Sequence, residues 1–320
     1  MRLPTLVLIP AVMAFCSQPS ASAQPRGTIP LIYSTDLYHN INDIDDHFDA
    51  AVVLKSPEFD IKGIILDNHF YPNDGDKVLQ KLMEYTGRQV PVVKGLGLFK
   101  LRSFEDKGLF VDGQEAVDFI LDTLQESPRK VMMIAVGSMT DFAAAYLRDP
   151  ALFSTKVGAV YIVAGSAESP EQDYNVKLDP KAFVVLMRSS LPIVWVPVDS
   201  SMWYFPAPAL LVPPKNRLSH FLLNELLYWY IRNDSRGNQH QDRYDYFDLG
   251  RWMWSTPAFV HAVEYGTAKE MFDLIPAKAE FDDEGVMKSI RLGVQGSNLR
   301  VVKNVNGTKL NQFMVDRINR

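Results

Sequence analysis

The stretch "STDLYHNINDIDD" (34–46) follows the apolar run "IPLIY" and precedes "HFDAAVVL". Its flanks read as a buried strand and the start of a helix, so it is the turn of a strand-to-helix unit. Asp36, Asp43, Asp45 and Asp46 place four carboxylates within eleven residues. Like charges this close repel one another unless water, a proton or a cation separates them. Two readings are open from this stretch alone: a solvated acidic loop that caps the next helix, and a metal or acid/base site.

Outward from this turn the same unit repeats. Short apolar, β-branched runs recur as "IPLIYS" ending at Ser34, "IKGIILD" (61–67), "VPVVKG" (90–95), "KVMMIAVG" (130–137), "VGAVYIVAG" (157–165) and "LPIVWVPVD" (191–199). Between them the periodicity predicts helices at about 46–55, 75–87, 113–125, 140–148, 179–190 and 218–232. Strands apolar on both faces that alternate with helices predict an α/β fold, with an open, mostly parallel sheet wound on both sides. Ligands of such sheets bind beyond the carboxyl ends of the strands. Those ends carry Asp36, Asp67, Gly95, Gly137–Ser138, Gly165–Ser166 and Asp199, which puts the acidic turn on the expected functional rim.

The 320 residues are 47% hydrophobic and 22% charged with net charge −5, ordinary for a soluble chain with a sizeable core and unlike a nucleic-acid binder. Residues 1–23 read as a secretory signal peptide: Arg2, an apolar Leu6–Phe15, and Ala21–Ser22–Ala23 as the cleavage site before Gln24. A retained anchor is the alternative, although the apolar run is short for a span of about 20 residues. Cys16 lies inside that segment, so a chain cut there would have no thiol for a disulfide or a nucleophile. The expectation is one domain over 24–320, secreted or periplasmic, with no later membrane span. Beyond residue 200, "SSMWYFPAPALLVPPK" and "RNDSRGNQHQDRYDYFDLGRWMW" read either as irregular surface packed by its own aromatic residues or as a lid with stacking surface for an aromatic ligand. The tail from "GVMKSIRL" onward reads as strands joined at Gly and Asn turns and a final helix, a small C-terminal β/α addition.

Three stretches together resemble the calcium-dependent nucleoside hydrolases, the inosine/uridine-preferring superfamily that cleaves the N-glycosidic bond of ribonucleosides. That family opens with a strand, D-x-D-x-G-x-D-D and a helix ending before Pro-Glu; here "STDLYHNINDIDDHFDAAVVLKSPEF" ends on Pro57–Glu58. "VGSMTDFAAAYLRDPALF" (136–153) and "DYNVKLDPKAF" (173–183) are similar to its second and third motifs, in the same order. The resemblance implies a Rossmann-like sheet of nucleoside-hydrolase type and a Ca²⁺ cofactor. It implies Asp36 as general base and calcium ligand, Asp46 as calcium ligand, and Thr140 as a ligand through its backbone carbonyl. Asp45, Asn175 and Asp173 would hold the sugar. A water on such an ion loses a proton more easily, and an oxocarbenium-like sugar is stabilised by nearby anionic oxygens.

This chain departs from the family pattern in four places. Ser34 replaces the motif's first aspartate. The turn between Asp36 and Asp45 is five residues longer and lacks the glycine, which brings Asn42 and Asp43 near the ligand shell or leaves them to turn and cap chemistry. "ILDNHF" (65–70) lacks the Gly-Asn pair, so Asn68 or Asp67 would substitute in sugar binding. The family's late His-Asp-Pro or Trp-Asp-Pro corresponds to "MWSTPAFVHA" (253–262), with Ser255 or Thr256 in place of the calcium-binding aspartate. A hydroxyl can ligate calcium, but one carboxylate fewer weakens charge compensation. His39, His47, His69, His240 and His261 remain as general-acid candidates against a structural role for each, and Tyr38 and Trp254 as base contacts against packing.

The expectation is a hydrolase of a ribonucleoside or related N-riboside, a small-molecule enzyme with neither nucleic acid nor membrane as partner, homo-oligomerisation being left open. The competing expectation is a binding protein that keeps the fold with little or no catalysis. A D-x-D phosphoryl-transfer site is disfavoured by Tyr38 two positions after Asp36, and no G-x-G-x-x-G follows the first strand.

Overall fold

Strand β1 (Ile29–Thr35) is buried from Pro30 onward and pairs in parallel with β2 (Phe59–Leu66) on one side and β4 (Val131–Ala135) on the other. A strand covered on both faces must be apolar throughout, as "IPLIYST" largely is. Leu31 and Tyr33 face one layer of helices and Ile32 the other. The computed structural model describes residues 28–37, 44–67, 75–109, 113–234, 249–263 and 268–320. The expected signal peptide and Asn42, Asp43 and Asn68 lie outside them, as do Tyr38, His39, His69 and His240.

The first half alternates β1, α1 (Ile44–Lys55), β2, α2 (Gly75–Thr86), β3 (Val92–Lys94), α3 (Glu115–Glu126), β4 and α4 (Thr140–Arg148). It continues with α5 (Pro150–Lys156), β5 (Val157–Ile162), α6 (Tyr174–Leu178), α7 (Pro180–Met187) and β6 (Ile193–Trp195). Then come α8 (Val198–Ser201), β7 (Trp203–Phe205), α9 (Ala207–Leu211), α10 (Arg217–Asp234), β8 (Arg251–Met253) and α11 (Thr256–Val263). The chain closes with β9 (Asp273–Phe281), β10 (Met287–Leu292), β11 (Leu299–Lys303) and α12 (Gly307–Asn319). The sheet runs β10-β9-β11-β6-β5-β4-β1-β2-β3 among the described residues, parallel from β11 to β3, with β9 and β10 antiparallel at one edge.

This is the doubly wound sheet the alternation predicts, and the expected strands and helices match to within a few residues. Three features differ. Strand β9 joins the sheet ahead of the expected tail strands, through the mixed run "DLIPAKAEF" whose exposure alternates irregularly. The Pro-rich segment after residue 200 holds β7 and α9, and β7 pairs with β8 as a separate two-stranded sheet. The segment around Ser255 forms α11, buried along its whole length, which is why its apolar residues lack an amphipathic period.

The Asp-Pro pairs in the second and third family-like motifs are helix starts. Asp149 and Asp179 each accept from the amide three residues on, Leu152 N and Ala182 N, with Pro150 and Pro180 in the first turn. This combination satisfies an open amide with the cap and uses the proline where no N–H is needed. Asp179 also accepts from Leu101 N at 2.9 Å and from Thr140 Oγ1 at 2.9 Å, and is only 1% exposed. One carboxylate therefore ties α7, the start of α4 and the 101 loop together. At the other end Arg317 of α12 forms two parallel bonds of 2.9 and 2.8 Å to Glu58, just before β2.

Asp179→Ala should lower the unfolding free energy by about 2–4 kcal/mol, the sum of a lost cap and two stranded buried donors. Urea titration measures this, and a loss below about 1 kcal/mol would show that these donors find other partners.

Candidate active site

The order β5-β4-β1-β2 reverses direction between β4 and β1, and at such a switch point the loops diverge and leave a crevice. The register fixes what lies there. Thr35 sits opposite Leu66 and Ser34 opposite Ala135, and Asp67 N and Val136 N donate to Thr35 O and Ser34 O. Asp36, Asp67 and Gly137 therefore emerge at one level. Gly137 has no room for a side chain, because a Cβ would come within 2.8 Å of Asp67 Oδ2 and 2.9 Å of Asp36 Cβ.

Helix α1 enters the same crevice with its first turn, so Asp45 and Asp46 lie where the helix dipole favours negative charge. Asp49, one turn further on, is on the same buried side. Asp36, Asp45, Asp46, Asp49 and Asp67 are each 5% exposed or less. Most have a donor. Asp67 accepts from Ser138 N at 2.5 Å, Asp49 from Thr256 Oγ1 at 3.1 Å, and Asp46 has Thr35 Oγ1 at 3.5 Å. Asp45 Oδ1 takes Nε and Nη2 of Arg251 at 2.9 and 2.8 Å.

Asp36 is the exception: neither of its carboxylate oxygens is held by a donor among the described residues. Burial first, and the nearby Asp67 charge second, raise its pKa from the ordinary 3.8 to about 7. Contacts with Asp46 and with its own amide offset this only in part. Burial and the Asp45 charge also hold Asp49 well above the carboxylate range.

Above this cluster lies a cavity of about 420 Å³, within the range of small-molecule sites. Asp45, Asp46, Asn175, Arg251, Trp254 and Ser255 line it, together with Asp173. Asp36 lies beneath this wall rather than on it. Asn175 Nδ2 donates to Val163 O and Val136 O at the ends of β5 and β4, which anchors the side chain at the sheet rim. Asp173 caps α6 and accepts from Gly165 N at 2.7 Å, with burial raising its pKa. The crevice thus brings together Asp36, Asp45, Asp46, Asn175 and Asp173.

Thr140 and Thr256 stand behind the cavity. The Thr140 hydroxyl is committed to Asp179. The Thr256 hydroxyl is turned to Asp49, and Ser255 is the member of that pair on the cavity wall. Neither described histidine among the general-acid candidates lines the cavity. His47 is buried with its pKa lowered to about 3 by desolvation, and His261 bonds Tyr161 Oη at 2.9 Å with its pKa lowered to about 4. Arg251 and Asp49 are site residues that sequence reasoning did not single out. Asp49 had a signal, since it lies three and four residues after Asp46 and Asp45 on one helical face. Arg251 had none beyond its position between aromatic residues.

Asp36 and Asp46 are the carboxylates that a divalent cation would have to engage in this crevice. The bare oxygens of Asp36 face a crowd of carboxylates, and a cation or a proton must neutralise them. No three Asp, Glu, His or Cys side chains converge on one point among the described residues. The remaining ligands would be neutral oxygens, which Ca²⁺ accepts among its six to eight.

Residues 31–311 match the family described as inosine-uridine preferring nucleoside hydrolase. Over 196 residues the chain is 25% identical to the pyrimidine-specific ribonucleoside hydrolase RihA of Citrobacter koseri, covering 53% of this chain and 60% of that one. Over 204 residues it is 24% identical to the non-specific ribonucleoside hydrolase RihC of Salmonella paratyphi B, covering 56% and 66%. The matched stretch thus spans about three-fifths of the length of such relatives. In structure it resembles a purine-preferring ribonucleoside hydrolase from Gardnerella vaginalis, with TM-score 0.68 at 16% identity over 91% of this chain and 98% of the other. It also resembles the plant nucleoside hydrolase PpNRh1, with TM-score 0.66 at 17% identity over 91% and 99%. At such identities the likeness is one of fold.

In metal-free buffer Asp36→Asn should be more stable than the wild type at pH 8, and the gap should close toward pH 4. A carboxyl whose folded pKa is raised contributes stability below its unfolded value near 3.8 that is lost as pH rises through about 7. Asparagine carries no such dependence. Thermal melts across that range, with equal pH profiles for both proteins, would contradict the burial of a bare carboxylate.

Proposed function

Because the chain belongs to the inosine-uridine preferring nucleoside hydrolase family, we propose that it hydrolyses the N-glycosidic bond of a ribonucleoside or related N-riboside. The observation that carries this reading is the bare, buried Asp36 beside Asp46, at the switch point under a cavity lined by Asp45, Asn175 and Asp173. In this reading Asp36 and Asp46 would hold Ca²⁺, with the Thr140 carbonyl and the Thr256 region as further candidates. Bound there, calcium would acidify a water and hold sugar hydroxyls.

The work of the side chains follows from their placement. Asp36 takes a proton from the attacking water, and a pKa near neutrality suits a group that must be anionic before the step and protonated after it. Asp45 and Asn175 Oδ1 accept from sugar hydroxyls, with Asp173 at the sugar's edge and Asn68 a further candidate. The water oxygen bonds to the anomeric carbon as the C–N bond breaks, and the base leaves with the electron pair. The oxocarbenium-like sugar between these states is stabilised by the anionic oxygens of Asp45 and Asp46. His47 and His261 are too far inside the protein to supply the proton that the leaving base takes up. Trp254, on the cavity wall, offers a flat apolar face to that base.

A second reading, a riboside-binding protein with weak catalysis, is favoured by one observation: where the family resemblance implies a late carboxylate, Thr256 offers a hydroxyl that is already bonded to Asp49. An assay of ribose release from inosine, uridine, adenosine, cytidine and nicotinamide riboside, with calcium and with a chelator, separates the two. Hydrolysis is expected with calcium and not with chelator, and Asp36→Asn should cut kcat by about 10²–10⁴-fold. An unchanged rate in Asp36→Asn would remove it as the base. Binding without turnover of any of the five would favour the second reading.

A further inference from the structure

Arg251 is the cation on the cavity wall among the described residues, and its surroundings fix it tightly. Its backbone is held in β8 opposite Phe205 of β7, and its side chain is 17% exposed. The guanidinium carbon lies 4.8 Å from the centroid of the Trp229 ring and 5.5 Å from that of Trp254. Two aromatic neighbours restrain a planar cation and thin its water, a setting that suits arginine better than lysine. Nε and Nη2 of Arg251 both reach the same oxygen of Asp45, Oδ1. Asp45 itself lines the cavity, so the carboxylate is gripped on one oxygen and offers the other.

We infer that Arg251 is the positioning residue of the sugar subsite: clamped beside Trp229 and Trp254, it holds Asp45 by Oδ1 so that Oδ2 meets a ring hydroxyl of the sugar. The inference rests on the riboside reading and deepens it, making selection between ribose and deoxyribose depend on a residue that touches the carboxylate rather than the sugar. The physical need for such a residue comes from the neighbours. Asp36, Asp46 and Asp49 all lie near Asp45, and like charges would turn an unrestrained Asp45 carboxylate toward solvent. A bound guanidinium removes that drive and fixes the plane in which the second oxygen accepts. The pairing links α1 to β8 across 206 positions of sequence, so the subsite is completed only when the β7–β8 sheet is in place.

Intrinsic tryptophan fluorescence, titrated with D-ribose, 2-deoxy-D-ribose and 3-deoxy-D-ribose in calcium buffer, reads the subsite with ligands that are not hydrolysed. The wild type is expected to bind ribose about tenfold or more tightly than at least one deoxy sugar, the worth of one hydroxyl on a carboxylate. Arg251→Met should bring that ratio close to one with an unchanged far-UV circular dichroism spectrum, and should add nothing to the loss caused by Asp45→Asn. Arg251→Lys keeps the charge without the planar fork and should lose part of the ratio, which preserves the test if Arg251→Met does not fold. A wild-type ratio in either Arg251 variant would overturn the inference and leave the riboside reading standing. Failure of the wild type to bind any of the three sugars and to hydrolyse any riboside would overturn that reading, and this inference with it.

Discussion

The crowding of buried carboxylates at the β1–β4 switch point is the constraint on which the rest of the site depends. Five aspartates from β1, β2 and α1 meet where water scarcely reaches, and each must find compensation. Asp67 finds it in a backbone amide, Asp49 in a threonine hydroxyl and Asp45 in a guanidinium. Asp36 is left without a donor among the described residues, and burial first and the Asp67 charge second raise its pKa. A group left this way is unfavourable for the fold alone, and such groups concentrate at functional sites.

Compensation also explains the architecture around the crevice. Gly137 is required because Asp36 and Asp67 occupy the space a side chain would take. Asn175 is anchored by the carbonyls that end β4 and β5, so the rim of the sheet itself carries an amide that lines the cavity. Asp179 stabilises the start of α4, just behind Ser138 and Thr140. The family-like motifs are therefore of two kinds. Asp-Pro pairs build helix starts, and the carboxylates and amide of the rim gather at the cavity.

Much of this was legible in the sequence because periodicity and strand-end chemistry are local. The parallel sheet and the acidic rim followed from apolar runs that stop at Asp36, Asp67 and Gly137. The Arg251–Asp45 pair was not legible, because it joins elements far apart in sequence and nothing local in "GRWMW" marks the partner. Asp49 escaped notice because it is a single charge within a run read as an apolar helix, and α1 is buried nearly all round. The same burial removes His47 from consideration as an acid, since desolvation holds the enclosed imidazole neutral. Strand β9, which lies between β10 and β11, was missed because its mixed residues lack both strand alternation and a continuous apolar run.

Asp36 and Asp46 acquire meaning together only if a cation, rather than a proton alone, offsets them. The most direct measurement is isothermal titration of Ca²⁺ into the metal-free protein near pH 7.5, a condition chosen to lie roughly at or above the raised pKa of Asp36, alongside Asp36→Asn. One saturable site in the wild type that disappears in the variant is the predicted result. Absence of binding at millimolar calcium, or an equal site in both proteins, would contradict the account.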